Sequence, residues 1–419
     1  MKHINKSLVA AALAASLLSA PFAMAEKVLR IGHDNKADIM ENPAHAFTGV
    51  FKNIVETATN GEIKVQVFPS NQLGSAKEHI QMVRDGQLQG TLAPVGPLAG
   101  YYPRIGVLDV PFAFKSNAAT YEVFDGKFGQ TLARDIEGEL KDVKVLGFPD
   151  TGGFFSITNS KRPLESQKDF KGLRIRTMTL PTHQKIIQSL GAEAYPLAWG
   201  EVYSSLQTGV IDGQMNPIPT VSFAKFNEVQ GYLTLTNHLF APYTFMINKD
   251  FYDGLTPEQQ AIVSDAVEIA LSSNRGLARL IEASNDRGLD GLKAKMKVNA
   301  LSDGQRQAMR NATQPGLIEY IKETHGEKGT ELLELFLAEV DKANQSVYLQ
   351  AIALPQSRHF HFFRCLLFSF PNFCATKSNR FSYNFHRLAG RLRHLFHHIV
   401  TAHDFFILEP FRRFDGCTA

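Results

Sequence analysis

The chain is 419 residues long with 44 basic and 41 acidic side chains and a formal net charge of +3; this length exceeds one ordinary domain and predicts two lobes. The positive balance comes from the C-terminal segment: two basic residues precede residue 26, and nine basic and three acidic residues follow residue 350, leaving 33 basic against 38 acidic between them. An acidic body with dispersed cations has no clustered Lys/Arg stripe and excludes nucleic acid as a partner. All three cysteines, Cys365, Cys374 and Cys417, lie after residue 350, which excludes a disulfide framework, a thiolate metal site and a cysteine nucleophile from the body.

In chain order, Lys2 and Lys6 precede an apolar run from Leu8 to Phe22 that ends in Ala23-Met24-Ala25, the pattern of a secretory signal peptide cut before Glu26. "KVLRIGH" then reads as a strand. A helix is predicted from Pro43 to Thr59, with Phe47, Val50, Phe51, Ile54 and Val55 at helical spacing. "EIKVQVFP" alternates Ile63, Val65 and Val67 against polar residues, a strand period, and "SAKEHIQMVRDG" is a helix stopped at Gly86. Strand, helix, strand, helix predicts a doubly wound parallel sheet.

The pattern restarts after a break around Gly126 to Gly138. "VKVLGF" and "GLRIRTM" read as strands, Pro181–Leu190 as a helix stopped by Gly191, "AEAYPL" as a strand, Gly200–Thr208 as a helix stopped by Gly209, and "VIDGQMN" as a strand. Two consecutive α/β sets predict two lobes with a cleft between them. "YTFMIN" is a further strand, and a helical region from Thr256 to about Lys293 is long enough to lie across both lobes. The segment 351–419 holds 13 of the 31 phenylalanines and seven of the 14 histidines without helix, strand or turn periodicity. It reads as non-native coding, such as a frameshift or read-through, in preference to a metal- or membrane-seeking segment.

Open α/β sheets bind ligands at the carboxyl ends of their strands, and Arg176, Asn216 and the His33-Asp34-Asn35 turn all sit at such ends. Arg176 has the planar donor set that suits a carboxylate, with Pro181 opening a helix just beyond it. A rim salt bridge is the alternative role, favoured more strongly for Arg174. Trp199, the only tryptophan, would stack on a ligand or fill the core; Asn216 would donate to a carboxylate or cap the turn before Pro217. No G-x-S-x-G, H-E-x-x-H, P-loop or strand-borne G-x-G-x-x-G is present, so binding without chemistry, with no cofactor and no metal, is the expectation.

The run "KGLRIRTMTLPTHQKIIQSLGAEAYPLAWGEVYSSLQTGVIDGQMNP" resembles the solute-binding subunits of tripartite ATP-independent periplasmic (TRAP) transporters, dicarboxylate-binding type. The resemblance runs through "LGSAKEHIQMVRDGQLQG", "VLDVPFAF", "TNSKRPL" and "TNHLFAPYTFMIN" and covers nearly all of the body, which ends near residue 345. It implies two α/β lobes with an interlobe cleft, crossing strands and a long bracing helix. Lobe I would be 26–148 with part of 240–270, lobe II 149–239 with part of 271–345, and 1–25 and 351–419 would lie outside both.

The resemblance also implies a ligand set. The arginine ending "LRIR", the carboxylate clamp of the family, matches Arg176; the cleft asparagine of Q-E-N-P matches Asn216; the aromatic before E-V-Y matches Trp199; and Glu78 is similar to a position that can face the ligand's polar end. His33, Phe155 and Tyr243 complete the expected site. Two departures stand out: Met215 replaces the glutamate of Q-E-N-P, and Phe155 stands where sialic-acid-type members carry a second arginine. The expected ligand is therefore a small organic acid with one carboxylate and an apolar or hydroxylated remainder, captured in the periplasm and passed to a membrane permease. A periplasmic enzyme or a sensor subunit acting on organic acids is the alternative.

Overall fold

The computed structural model describes residues 27–346; the signal peptide expected at 1–25 and the segment 351–419, read above as non-native coding, lie outside them. Strand β1 (Lys27–Gly32) leads into helix α1 (Pro43–Ala58), capped by Asn42, whose side-chain oxygen accepts from the Ala44 and His45 amides. The chain returns in β2 (Ile63–Phe68), parallel to β1 in register from Lys27 opposite Ile63 to Gly32 opposite Phe68. Helix α2 (Ala76–Arg84) opens with a reciprocal capping box between Ser75 and Glu78, and β3 (Gly90–Pro94) pairs parallel with β1.

The expected break at 126–138 is filled by a helix, α4 (Lys127–Leu140), which follows α3 (Asn117–Asp125) with the chain interrupted only at Gly126. The glycines there misled the pattern, because Gly129 and Gly138 are both absorbed into α4. Strand β4 (Val143–Gly147) follows, and residues 148–154 carry the chain into β5 (Phe155–Asn159) of a second sheet. That sheet adds β6 (Arg174–Thr177), α5 (Pro181–Ser189), β7 (Glu193–Pro196), α6 (Val202–Gln207), β8 (Gly213–Pro217), α7 (Ile218–Phe223) and β9 (Tyr232–Leu239). The chain then crosses back through 240–242 to β10 (Tyr243–Asn248).

The strand orders are β2-β1-β3-β10-β4 and, counting β11 (Lys297–Ala300), β11-β9-β5-β8-β6-β7. Neither sheet is wholly parallel. Strand β10 runs antiparallel between β3 and β4, and β5 antiparallel between β8 and β9, because a strand entering from the other sheet arrives from the opposite end. The fold is nonetheless the two-lobed α/β architecture with crossing strands.

The helical region expected from Thr256 to Lys293 is shorter: α8 spans Pro257–Ala283, and a separate short helix covers Leu289–Lys293. Ser284 turns extended (φ −75°, ψ 144°) and its Oγ accepts from the Arg287 amide at 3.2 Å, a local turn that competes with helix continuation. Helix α8 packs on α1 and reaches β4 and α7, so it braces both sheets. Fully buried Asn274 on α8 fixes this brace: its Oδ1 accepts from the Asp150 amide (2.7 Å), and its Nδ2 donates to Pro43 O (2.9 Å) and Asp150 O (3.0 Å). A final helical segment, α9 (Asp303–Gln345), is two helices joined by a kink at Gly326 (φ 60°, ψ −151°), and it packs on α3 and α4 from one side of the molecule and α5 from the other. One continuous apolar core behind the cleft joins Ile80, Val107 and Phe128 to Ile157, Ile175 and Phe336, so the two sheets share packing.

Candidate ligand-binding cleft

The carboxyl ends of β1, β3, β6 and β8 converge on a cavity of about 460 Å³ whose walls come from both sheets. The walls approach closely at one side. A Cβ added to Gly96 would sit 2.7 Å from the Met178 Cβ, so a side chain at 96 would hold the lobes apart.

Arg176 lies at the end of β6, only 3 % exposed, and lines this cavity. Its Nε and Nη2 donate to the Leu197 carbonyl at 3.1 and 2.8 Å, which fixes the plane of the guanidinium and leaves Nη1 without a protein acceptor among the described residues. No carboxylate lies within 4.0 Å of it among those residues. Burial pulls its pKa down to about 10, against the opposing fields of Asp34 and Glu201. Arg174, two residues earlier on the same strand, is instead bound to Asp212 through Nε (3.0 Å) and Nη2 (2.9 Å), the rim salt bridge.

Asn216 lies one residue before the end of β8, on the face that carries Gln214. Its Nδ2 donates to Gln214 Oε1 at 2.6 Å, Gln214 donates to Thr158 Oγ1, and Thr158 donates to Gln230 Oε1, a buried relay that orients the amide. Met215, between them, is buried in the shared core and does not line the cleft, so the side chain at that position is not part of the ligand wall. Phe155, at the start of β5, and Trp199 both line the cavity; Trp199 meets Phe223 and Phe226 edge-on at 6.3 and 5.8 Å, and so serves the apolar packing and the cleft wall together.

Tyr243 also lines the cavity, with its oxygen accepting from Asn35 Nδ2 at 2.7 Å and its own proton left to donate. Asn35 in turn donates to Asp34 Oδ1 at 2.7 Å and accepts from Asn42 at 3.1 Å. Two of the expected residues are not brought to the wall. The His33 ring turns inward to His45 (Nε2 to Nδ1, 3.0 Å), and burial with the neighbouring histidines pushes its pKa down to about 3. The Glu78 carboxylate is consumed by the helix cap, accepting from the Ser75 amide at 2.6 Å, and Ser75, Ala76 and Lys77 line the cavity in its place.

Sequence reasoning passed over Asp34 as a site residue in its own right. It lies in the cavity wall with its carboxyl pushed up to about 6 by burial and held back by its backbone hydrogen bond and the Arg176 field. Its position at the strand end was the available signal, masked by the neighbouring histidine. No group of three or more His, Cys, Asp or Glu side chains arranged for a metal occurs among the described residues.

A family model described as bacterial extracellular solute-binding protein, family 7, matches residues 37–324, from just past the Asp34–Asn35 turn to the middle of α9. The chain belongs to that family. Family 7 proteins are solute receptors of TRAP transporters and not enzymes. The 2,3-diketo-L-gulonate-binding periplasmic protein YiaO of Escherichia coli is 34 % identical over 313 residues, 74 % of this chain and 91 % of its own. The C4-dicarboxylate-binding periplasmic protein DctP of Rhodobacter capsulatus is 31 % identical over 295 residues, 70 % of this chain and 85 % of its own. Among solved structures, a TRAP periplasmic solute-binding protein from Sulfitobacter with bound β-D-galacturonate superposes with a TM-score of 0.68 at 32 % identity, covering 74 % of this chain and all of that one.

Proposed function

We propose that this family 7 receptor works in the periplasm, clamps a polyhydroxylated monocarboxylate of the sugar-acid class through Arg176, and delivers it to a membrane permease. The observation that carries this reading is the pairing of charges in the cleft. One deeply buried cation, Arg176, is set to receive a carboxylate, and the same cavity holds a buried acid, Asp34. Asp34 accepts hydroxyl protons and repels a second carboxylate; Asn35, Asn71, Ser75, Thr151, Thr179 and Thr220 add hydroxyl and amide groups along the wall. Phe155, where a second arginine would otherwise stand, gives the ligand carbon skeleton an apolar surface.

Closure follows from the ligand touching both lobes. Asp34 and Tyr243 come from one sheet's side and Arg176 and Asn216 from the other, so only the closed form satisfies all of them. The relatives that bind diketogulonate and galacturonate support the sugar-acid class, and the C4-dicarboxylate receptor supports a second reading. In that reading Lys77, an exposed cation on the cavity lip, meets a second carboxylate.

Calorimetric titration of the mature protein with galacturonate, galactonate and succinate separates the two. Sugar acids binding at least tenfold more tightly than succinate is the expected result; tighter succinate binding that falls in Lys77→Met establishes the dicarboxylate reading instead. Uptake into membrane vesicles that hold the cognate permease, dependent on the loaded receptor, tests delivery.

A further inference from the structure

We propose that the molecule carries a second anion site, on the far side of the crossing strands from the ligand cleft, that takes a small aromatic carboxylate. Side chains alternate across a strand and its lead-in, so Phe155 faces the cleft while Phe154 faces away from it. Phe154 opens onto a separate cavity of about 440 Å³, nearly the volume of the cleft itself. Besides Phe154, three chain segments build it: Phe112, Phe114 and Lys115 from the stretch before α3, Asn237 from β9, and Asp303, Arg306, Gln307 and Arg310 from the first turns of α9.

The chemistry of these walls is divided. Phe112, Phe114 and Phe154 supply ring surface, whereas Lys115, Arg306 and Arg310 supply three cations against the single acid Asp303. None of the three has a carboxylate within 4.0 Å among the described residues. Arg306 Nη1 donates to the Thr236 carbonyl at 2.8 Å and Arg310 Nε to Gln314 Oε1 at 2.9 Å, neutral partners that leave both charges uncompensated. Arg306 and Arg310 stand four residues apart on α9, so they project from the same face one turn from each other. Planar donor groups beside aromatic faces match a ring bearing a carboxylate: the ring lies against the phenylalanines and the oxygens meet the guanidinium edges.

The backbone around the cavity is held in an uncommon form. Phe112 has φ 57° and Asn237 φ 45°; for a bulky aromatic residue the left-handed region costs energy that neighbouring contacts must offset. The Phe112 amide donates to the His238 carbonyl at 2.7 Å, which locks the ring-bearing segment onto β9. This conformation places Phe112 on the cavity wall beside the cations.

The test uses the full chain carrying Arg176→Met, which silences the cleft, titrated with naphthalene-2-carboxylate by calorimetry. Saturable one-site binding is expected. It should weaken at least tenfold in Arg306→Gln/Arg310→Gln on the same background and severalfold in Arg310→Gln alone, whose exposed position leaves folding intact by circular dichroism. Absence of saturable binding to the Arg176→Met chain, or equal binding by the folded Arg310→Gln and double variants, overturns the proposal.

Discussion

Replacing Arg176 by methionine removes the one buried cation of the cleft while keeping the length and apolar stem of the side chain. Hydrogen bonds to charged groups contribute about 1.5–3 kcal/mol each net, and truncating one partner of a buried charged pair costs about 2–5 kcal/mol because the other is left desolvated. Arg176 is almost wholly buried and pre-oriented by two bonds to Leu197 O, so a carboxylate placed there meets a donor with little freedom left to lose. The upper part of the range applies, about 3–5 kcal/mol, or roughly two to three and a half decades in Kd. Calorimetry against a sugar acid measures it directly, and Trp199, the only tryptophan and part of the cavity wall, reports the same event by fluorescence. The fold should survive, since the β6–β7 ladder from Arg174 opposite Glu193 to Thr177 opposite Pro196 is made by backbone groups, and losing an uncompensated buried charge offsets the loss of the Leu197 contacts. A Kd raised less than tenfold in a folded Arg176→Met variant would refute the clamp.

Three further outcomes are expected. Burial holds the Asp34 carboxyl at about 6, and an anion docked on Arg176 raises it further, so binding takes up protons and affinity rises as pH falls from 8 through 6; Asp34→Asn should flatten that profile, and a flat wild-type profile would count against it. Glu282 lies beside the Asp150–Gly153 crossover with its carboxyl pushed up to about 7, chiefly by burial, against the Arg279 field and with a smaller push from the Asp150 charge. Since its folded pKa exceeds the unfolded one, its favourable contribution is complete below about 4.5 and is lost as pH rises to 7; Glu282→Gln should show a shallower decline of melting temperature over that window. Asn274→Ala strips partners from one buried amide and two buried carbonyls at the brace, which at about 1–3 kcal/mol per orphaned group predicts a loss of about 3–5 kcal/mol in chemical denaturation, and less than 1 kcal/mol would show the brace to be dispensable.

The elements with local signals were readable from sequence. α1 begins at Pro43 and ends one residue before the expected Thr59, "YTFMIN" is β10 from first residue to last, and Gly86, Gly191 and Gly209 each take positive φ where a helix stop was expected. What local pattern could not show was direction: nothing in "YTFMIN" says that it enters between β3 and β4 from the opposite end, because that follows from the crossover and not from side-chain period. The same limit governed the site. Arg176, Asn216, Phe155, Trp199 and Tyr243 meet in one cavity, whereas His33 and Glu78 spend their polar atoms on His45 and the Ser75 cap, partners that only the folded chain reveals. Met215 looked consequential by comparison with the family motif, yet strand alternation turns it into the core.

The late arrival of β10 bears on how the molecule is made. It occupies the gap between β3 and β4 and is translated after every strand of the other sheet except β11. Until then the earlier half of the polypeptide has two open sheet edges, and no amount of waiting closes them. A ribosome-bound or translocating chain thus stays threadable until residues 243–248 emerge, and a fragment cut at residue 240 should be a sticky intermediate rather than half a receptor.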